Sequence, residues 1–278
     1  MNKAGGLATH TGTKMQGETK MESVPADLDK KQVFKDTHRL NRYRLDDRFV
    51  LRDGRKHPFA VICPGGGYWM ICSFIEGTPI ARKLNERGIS VFIVYYRVRK
   101  RGRYPHPQDD LARAIGDILN RAEEYRIEPE NYSVWGSSAG GHLVGSFGTE
   151  SMGWQRYRLP KPGAIVLIYP VISMDPAMTH MGSHDNLLGP HATPAMEQAT
   201  SIDRQVTAEY PPCYLWCGED DTLVNPENTR RMATALEQAG VPYRCEIFPG
   251  VEHGVGPATG TAAEGWIDRA LDFWRKRN

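Results

Sequence analysis

The stretch Trp135-Gly136-Ser137-Ser138-Ala139-Gly140-Gly141 constrains this chain more than any other. A strand-like Tyr132-Ser133-Val134-Trp135 leads into it, and His142-Leu143-Val144-Gly145, which suits a helix, follows. The pattern is Gly-x-Ser-x-Gly on a strand-to-helix turn, an arrangement that holds the serine on a sharp bend with its hydroxyl clear of the sheet. A serine hydroxyl is a weak nucleophile until a base accepts its proton, so this placement makes Ser138 a candidate nucleophile. Gly136 and Gly140 permit the turn because a residue without a side chain lets strand and helix close tightly.

The rest of the chain supplies the sheet such a turn needs. Phe59-Ala60-Val61-Ile62-Cys63, residues 89–96 and Ala164-Ile165-Val166-Leu167-Ile168-Tyr169 are short, nearly all-apolar runs. Runs of that kind suit strands buried on both faces. Pro212-Cys213-Tyr214-Leu215-Trp216 and Tyr243-Arg244-Cys245-Glu246-Ile247-Phe248 read as two more strands, and residues 37–50 alternate loosely, as edge strands do. Helical spacing separates them: residues 76–87 stopped by Gly88, a helix opened by Asp109 and Asp110, residues 226–239 ended by Gly240, and residues 262–276. Strands alternating with helices predict an α/β fold with a mostly parallel sheet covered on both faces. Residues 170–209, rich in Met, His and Pro, read as irregular. Residues 1–26 lack apolar periodicity and are expected to be disordered, leaving residues 27–278 as a single domain.

Composition narrows the partners. Lys and Arg number 35 against 33 Asp and Glu, a net charge of +2, which gives no reason to expect nucleic acid or an acidic membrane. No apolar run approaches the roughly 20 residues of a membrane span, and no N-terminal apolar segment reads as a secretory signal. Cys63, Cys72, Cys213, Cys217 and Cys245 form neither a disulfide framework nor a zinc pattern. The expectation is a soluble, cytoplasmic protein with reduced thiols.

Three further stretches stand where a serine nucleophile would need help. Pro64-Gly65-Gly66-Gly67-Tyr68 follows a strand, and glycines there let backbone N–H groups approach a developing oxyanion. After the strand ending at Trp216 comes Cys217-Gly218-Glu219-Asp220-Asp221, where either aspartate could orient an imidazole. After the last strand, His253 lies in a loop ahead of the final helix and is a candidate base.

From about His57 onward the chain resembles the α/β-hydrolase superfamily, near the microbial acetyl esterase and acetylxylan-esterase-like group. Four motifs carry the resemblance: Cys-Pro-Gly-Gly-Gly-Tyr at 63–68, Gly-Ser-Ser-Ala-Gly-Gly-His at 136–142, Gly-Glu-Asp-Asp-Thr-Leu-Val at 218–224 and Phe-Pro-Gly-Val-Glu-His-Gly at 248–254. The resemblance implies an α/β-hydrolase fold with a short excursion, residues 172–209, over the site. It implies Ser138 as nucleophile, His253 as base, and an acid from the Asp220-Asp221 pair. Asp221 is favoured because it fits Gly-x-x-Asp-x-x-Val. The oxyanion hole would comprise the amides of Gly66, Gly67 and Ala139, with Tyr68 and Trp69 beside the substrate. Pro64 stands where many relatives have histidine, and Asn225 where proline is usual.

The implied activity is hydrolysis of short acyl esters, acetyl esters of a small alcohol or sugar foremost, without metal or organic cofactor. A small-molecule ester is the expected partner, and a homo-oligomer is compatible with it. The alternatives are an arylformamidase-like amide hydrolase, for which Gly66-Gly67-Tyr68-Trp69 is a partial match, and a ligand-binding protein that has lost its chemistry. His180 and His184 have helical metal-ligand spacing, but Gly182 argues against a helix there and no acidic motif accompanies them, so metal is not expected. His142 is expected to pack, and His106 to decorate a loop.

Overall fold

A run of apolar residues that must hide both faces belongs in the interior of a sheet, and the computed structural model, which describes residues 42–276, puts these runs there. Seven strands are described: β1 (Arg44–Phe49), β2 (Phe59–Cys63), β3 (Ser90–Tyr95), β4 (Ser133–Ser137), β5 (Ala164–Ile168), β6 (Cys213–Gly218) and β7 (Tyr243–Phe248). Their order is β1-β3-β2-β4-β5-β6-β7, with β1 antiparallel to β3 and every other pair parallel. Every residue of β2 through β6 is buried, whereas the edge strands β1 and β7 are partly exposed.

The helices are α1 (Ser73–Glu76), α2 (Thr78–Asn85), α3 (His106–Asn120), α4 (Ala122–Tyr125), α5 (Ser138–Gly148), α6 (Met181–Leu188), α7 (Pro194–Thr200), α8 (Glu227–Gln238) and α9 (Trp266–Arg275). α2 packs with α9, and α3 with α5. Since no residue of β2–β6 reaches solvent, both faces of the sheet are covered. α5 is buried along its whole length at the centre of the molecule.

Several expected elements are redrawn. In place of the helix expected over 76–87 stand α1, ending at Glu76, and α2, ending at Asn85, parted at Gly77, whose φ of −109° and ψ of −80° are not helical; glycine is needed there because a Cβ would lie 2.9 Å from the carbonyl oxygen of Ser73. α3 begins at His106 rather than Asp109, with Pro107 in its first turn, where a missing N–H costs nothing. His106 is therefore a helix-start residue, its Nδ1 3.1 Å from the Arg101 carbonyl. The final helix starts only after Gly265, whose φ of +81° breaks the preceding turns.

Residues 170–209 are not irregular throughout. The His180 side chain accepts the Ser183 N–H and caps α6, and Thr193 caps α7 in the same way. Gly182 is helical despite its low propensity, because capping and burial of Leu187 and Leu188 outweigh about 1 kcal/mol of glycine penalty. The five cysteines are unpaired, with Cys63, Cys213 and Cys217 buried. Among the described residues no helix is long and apolar enough to cross a membrane. The disorder expected for residues 1–26 and the start of the 37–50 edge segment lie outside the described residues.

Candidate active site

Parallel strands deliver their following loops to one edge of the sheet, and four of those loops carry the predicted residues. Gly65, Gly66 and Gly67 follow β2, Ser138 follows β4, Asp221 follows β6, and His253 follows β7. Ser138 takes φ of +54°, a strained value that turns the chain from strand straight into helix. The turn is possible only with glycine on either side. A Cβ on Gly136 would lie 2.2 Å from the Gly140 carbonyl oxygen, and one on Gly140 would lie 2.1 Å from that of Cys63.

Nε2 of His253 lies 2.9 Å from Oγ of Ser138, and Nδ1 lies 2.6 Å from Oδ2 of Asp221. The second oxygen of Asp221 accepts the N–H groups of Leu223 at 3.0 Å and Val224 at 2.8 Å. Of the two neighbouring aspartates, Asp221 is thus the one that meets the imidazole. Asp220 is exposed and accepts the Gly250 N–H at 2.6 Å, bracing the β7 loop. The ring of Tyr169 packs edge-on against His253, centroids 4.7 Å apart.

The glycine loop sits beside this dyad. Gly66 and Gly67 take φ of +124° and +63°, which turns their peptide groups out of line with β2. The Gly66 carbonyl accepts from the amides of Trp69 and Met70, and the Gly67 carbonyl from Nδ2 of Asn186 at 2.9 Å. Among the described residues, no acceptor meets the N–H of Gly66 or Gly67. Ala139 lies in the first turn of α5, where a helix leaves its N–H groups without intrahelical acceptors and its dipole favours negative charge. Two sources of unpaired N–H groups therefore flank Ser138.

A cavity of about 390 Å³ opens over Ser138 and His253, lined among others by Gly66, Gly67, Trp69, Glu76, His180 and Leu223. Among the described residues, the large apolar side chains left exposed are Trp69, Phe74, Ile75, Met181 and Leu223. Trp69, Ile75 and Leu223 line the cavity, and Met181 and Phe74 are chain neighbours of lining residues. The exposed apolar surface is gathered at one mouth, which is the usual mark of a binding site.

Tyr68 does not belong to that mouth, contrary to expectation. It is fully buried, and its hydroxyl donates to Nδ1 of His142 at 2.9 Å, while Nε2–H of His142 donates to the Thr200 carbonyl at 2.9 Å. Burial pushes the His142 imidazole down to about 4, so it stays neutral and serves as a structural bridge. Trp69 points outward instead, with the Arg99 guanidinium 3.7 Å above its ring. His180 and His184 do not converge: His180 borders the cavity, whereas His184 is buried between Asp185 and Glu197, at 2.9 and 3.0 Å.

Glu76, His180, Asn186 and Leu223 border the cavity without having been singled out as substrate-side residues. Nothing in their local spacing marks them. Glu76 falls in an ordinary helical pattern, while His180 and Asn186 reach the cavity from the cap and body of α6 and Leu223 from the loop after β6, all distant in sequence from Ser138.

The α/β hydrolase fold family matches residues 61–256, most of the domain and all four loops. This chain belongs to that family. Within it, the chain is 32% identical over 229 residues to endo-1,4-beta-xylanase B of Butyrivibrio fibrisolvens, covering 78% of this chain and 35% of that protein. It is 31% identical over 217 residues to the acetylxylan esterase of Xylanibacter ruminicola, covering 77% of this chain and 44% of that one. The chain thus spans less than half the length of these two curated relatives. The crystal structure of an acetyl ester-xyloside bifunctional hydrolase from Caldicellulosiruptor lactoaceticus superposes with a TM-score of 0.75 at 33% identity, covering 82% of this chain and 86% of that one. In this α/β hydrolase the four loops therefore stand at the sheet edge that the fold reserves for its chemistry.

Proposed function

We propose that the protein is a serine carboxylic-ester hydrolase acting on short acyl esters, acetyl esters of a small alcohol or sugar foremost. The observation that carries this reading is the unbroken relay from Ser138 Oγ through His253 to Asp221, opening on the cavity. The names of the acetylxylan esterase and the acetyl ester-xyloside hydrolase support the acetyl preference.

Ser138 Oγ attacks the ester carbonyl carbon while Nε2 of His253 takes its proton. The carbonyl electron pair moves to oxygen, and the resulting oxyanion is held by the amides of Gly66, Gly67 and Ala139. Asp221 keeps the Nδ1–H tautomer in place and stabilises the imidazolium. The C–O bond to the alcohol then breaks, His253 returns the proton to the departing oxygen, and an acyl-enzyme remains. Water, deprotonated by His253, attacks the acyl carbon, and the proton returns to Ser138 as the carboxylic acid leaves. Trp69 and Leu223 flank the alcohol or acyl portion outside the reacting carbonyl.

The test is a series of p-nitrophenyl esters from acetate to decanoate on the wild type and Ser138→Ala, with fluorophosphonate labelling of both. Turnover strongest on acetate and butyrate, lost with labelling in Ser138→Ala, is the expected result. Labelling without ester turnover moves the reading to amides and formamides. Folded protein that neither labels nor turns over would overturn it.

A further inference from the structure

A buried carboxyl other than Asp221 lines the cavity, that of Glu76. Glu76 ends α1 and is 4% exposed. Its carboxyl accepts the Gly65 N–H and has the Tyr169 hydroxyl and the His253 ring nearby, and among the described residues no salt bridge joins it to a Lys or Arg. Burial holds its pKa above the usual carboxylate range. A buried carboxyl without a Lys or Arg partner costs stability that an apolar side chain in its place would spare. What it provides in return is visible in its hydrogen bonds.

Oε2 of Glu76 accepts the Gly65 N–H at 2.7 Å. The Tyr169 hydroxyl stands near the same carboxyl and accepts the Gly256 N–H at 3.1 Å. Two hydrogen bonds, Gly65 to Glu76 and Gly256 to Tyr169, therefore hold the loop after β2 and the segment that carries His253 to two side chains that stand beside each other. Gly65 is also gripped sterically. A Cβ built on it would lie 2.7 Å from Cβ of Ser138 and 2.8 Å from Oε2 of Glu76. Gly65 thus occupies a slot one hydrogen atom wide between the serine and this carboxyl, and the next two residues bear the N–H groups that flank Ser138.

The geometry points to Glu76 as a positioning residue for ester hydrolysis, one that holds the Gly65-Gly66-Gly67 loop at its working distance from Ser138. This inference rests on the esterase reading above. The loop amides bear on the reaction when the carbonyl oxygen becomes an anion, so loosening them acts on the transition state and leaves ground-state binding nearly intact.

The test uses Glu76→Ala, Glu76→Gln and Tyr169→Phe in the full chain, with kcat and KM on p-nitrophenyl acetate and amide hydrogen exchange over residues 63–70. Glu76→Ala is expected to lower kcat about 10- to 100-fold while KM stays within about threefold, the size of effect a misplaced donor loop produces. Exchange in the 63–70 segment should accelerate in the same variant. Glu76→Gln, which keeps an oxygen for the Gly65 N–H, should restore most of kcat, and Tyr169→Phe should fall between. Folded Glu76→Ala with wild-type kcat and wild-type loop exchange overturns the proposal, as does a loss confined to KM. If Glu76→Ala does not fold, Tyr169→Phe decides, and wild-type kcat and exchange there overturn it equally. A wild type that turns over no ester defeats the esterase reading instead, and loop exchange in the variants still reports whether Glu76 holds the loop.

Discussion

The Asp221 carboxylate lies 2.6 Å from Nδ1 of His253, and its other oxygen is held by the amides of Leu223 and Val224. The carboxylate is thus fixed at both ends before any substrate arrives, and the imidazole can rest in a single orientation. Asp220, next in the chain, is spent on the Gly250 amide.

This division predicts opposite outcomes for two neighbouring substitutions. Asp221→Asn should lower kcat about 10³- to 10⁴-fold, because an amide in that place favours the wrong imidazole tautomer. Asp220→Asn should stay within about threefold, because its bond braces a loop at an exposed site. Steady-state kinetics of both variants on p-nitrophenyl acetate checks the pair, and equal losses would contradict the assignment.

Gly140→Ala should destabilise the fold by about 3 kcal/mol or more, at the upper end of what overpacking costs. The new methyl would meet the carbonyl oxygens of Cys63 and Pro64 at 2.1 and 2.6 Å, and backbone at the centre of a sheet cannot step aside. Urea denaturation measures the loss. A stability within 1 kcal/mol of wild type, on the order of an exposed helix substitution, would mean that α5 can slide.

The buried His142 predicts a pH dependence with a definite sign. Its folded pKa of about 4 lies below the ordinary value of 6.5, so between those values the unfolded chain binds more protons. Stability from this group is complete above pH 6.5 and is lost as pH falls towards 4, by about 3 kcal/mol in all. Denaturation midpoints across that window should fall steeply in the wild type. His142→Gln, which cannot titrate, should start less stable but show a flatter slope.

Trp69 and Leu223 stand exposed at the cavity mouth, and the reacting atoms lie deeper. Trp69→Ala and Leu223→Ser should therefore raise KM for esters with bulky alcohols by roughly tenfold, the loss of 1–2 kcal/mol of apolar contact, with kcat nearly kept. For the smallest esters the same substitutions should change little. A fall in kcat with KM unchanged would place these side chains at the chemistry rather than at the mouth.

Much of this molecule was legible locally. The nearly all-apolar runs from Phe59, Ile89 and Ala164 suit interior strands, and Gly136 and Gly140 bracket Ser138 because no other residue fits the contacts they make. The order of the loops along the chain then followed from strand-helix alternation, which places each of them at the same edge of a parallel sheet. These are short-range constraints, written in neighbours a few residues apart.

Other features depended on partners far away in the chain. Asp220 and Asp221 are chemically alike and adjacent, and only the approach of the β7 loop, some 30 residues later, separates their roles. Tyr68 and Trp69 are equally large and adjacent; His142, 74 residues on, claims the Tyr68 hydroxyl and draws that ring inside. Glu76 looked like any helical acid until Tyr169 and Gly65 closed around it. Sequence by itself determined the sheet, the turn that carries Ser138 and the order of the reactive loops, because these obey local geometry. Tertiary structure alone decided which of two like neighbours faces the chemistry, because that choice is made by whichever distant group can satisfy a side chain once water is excluded.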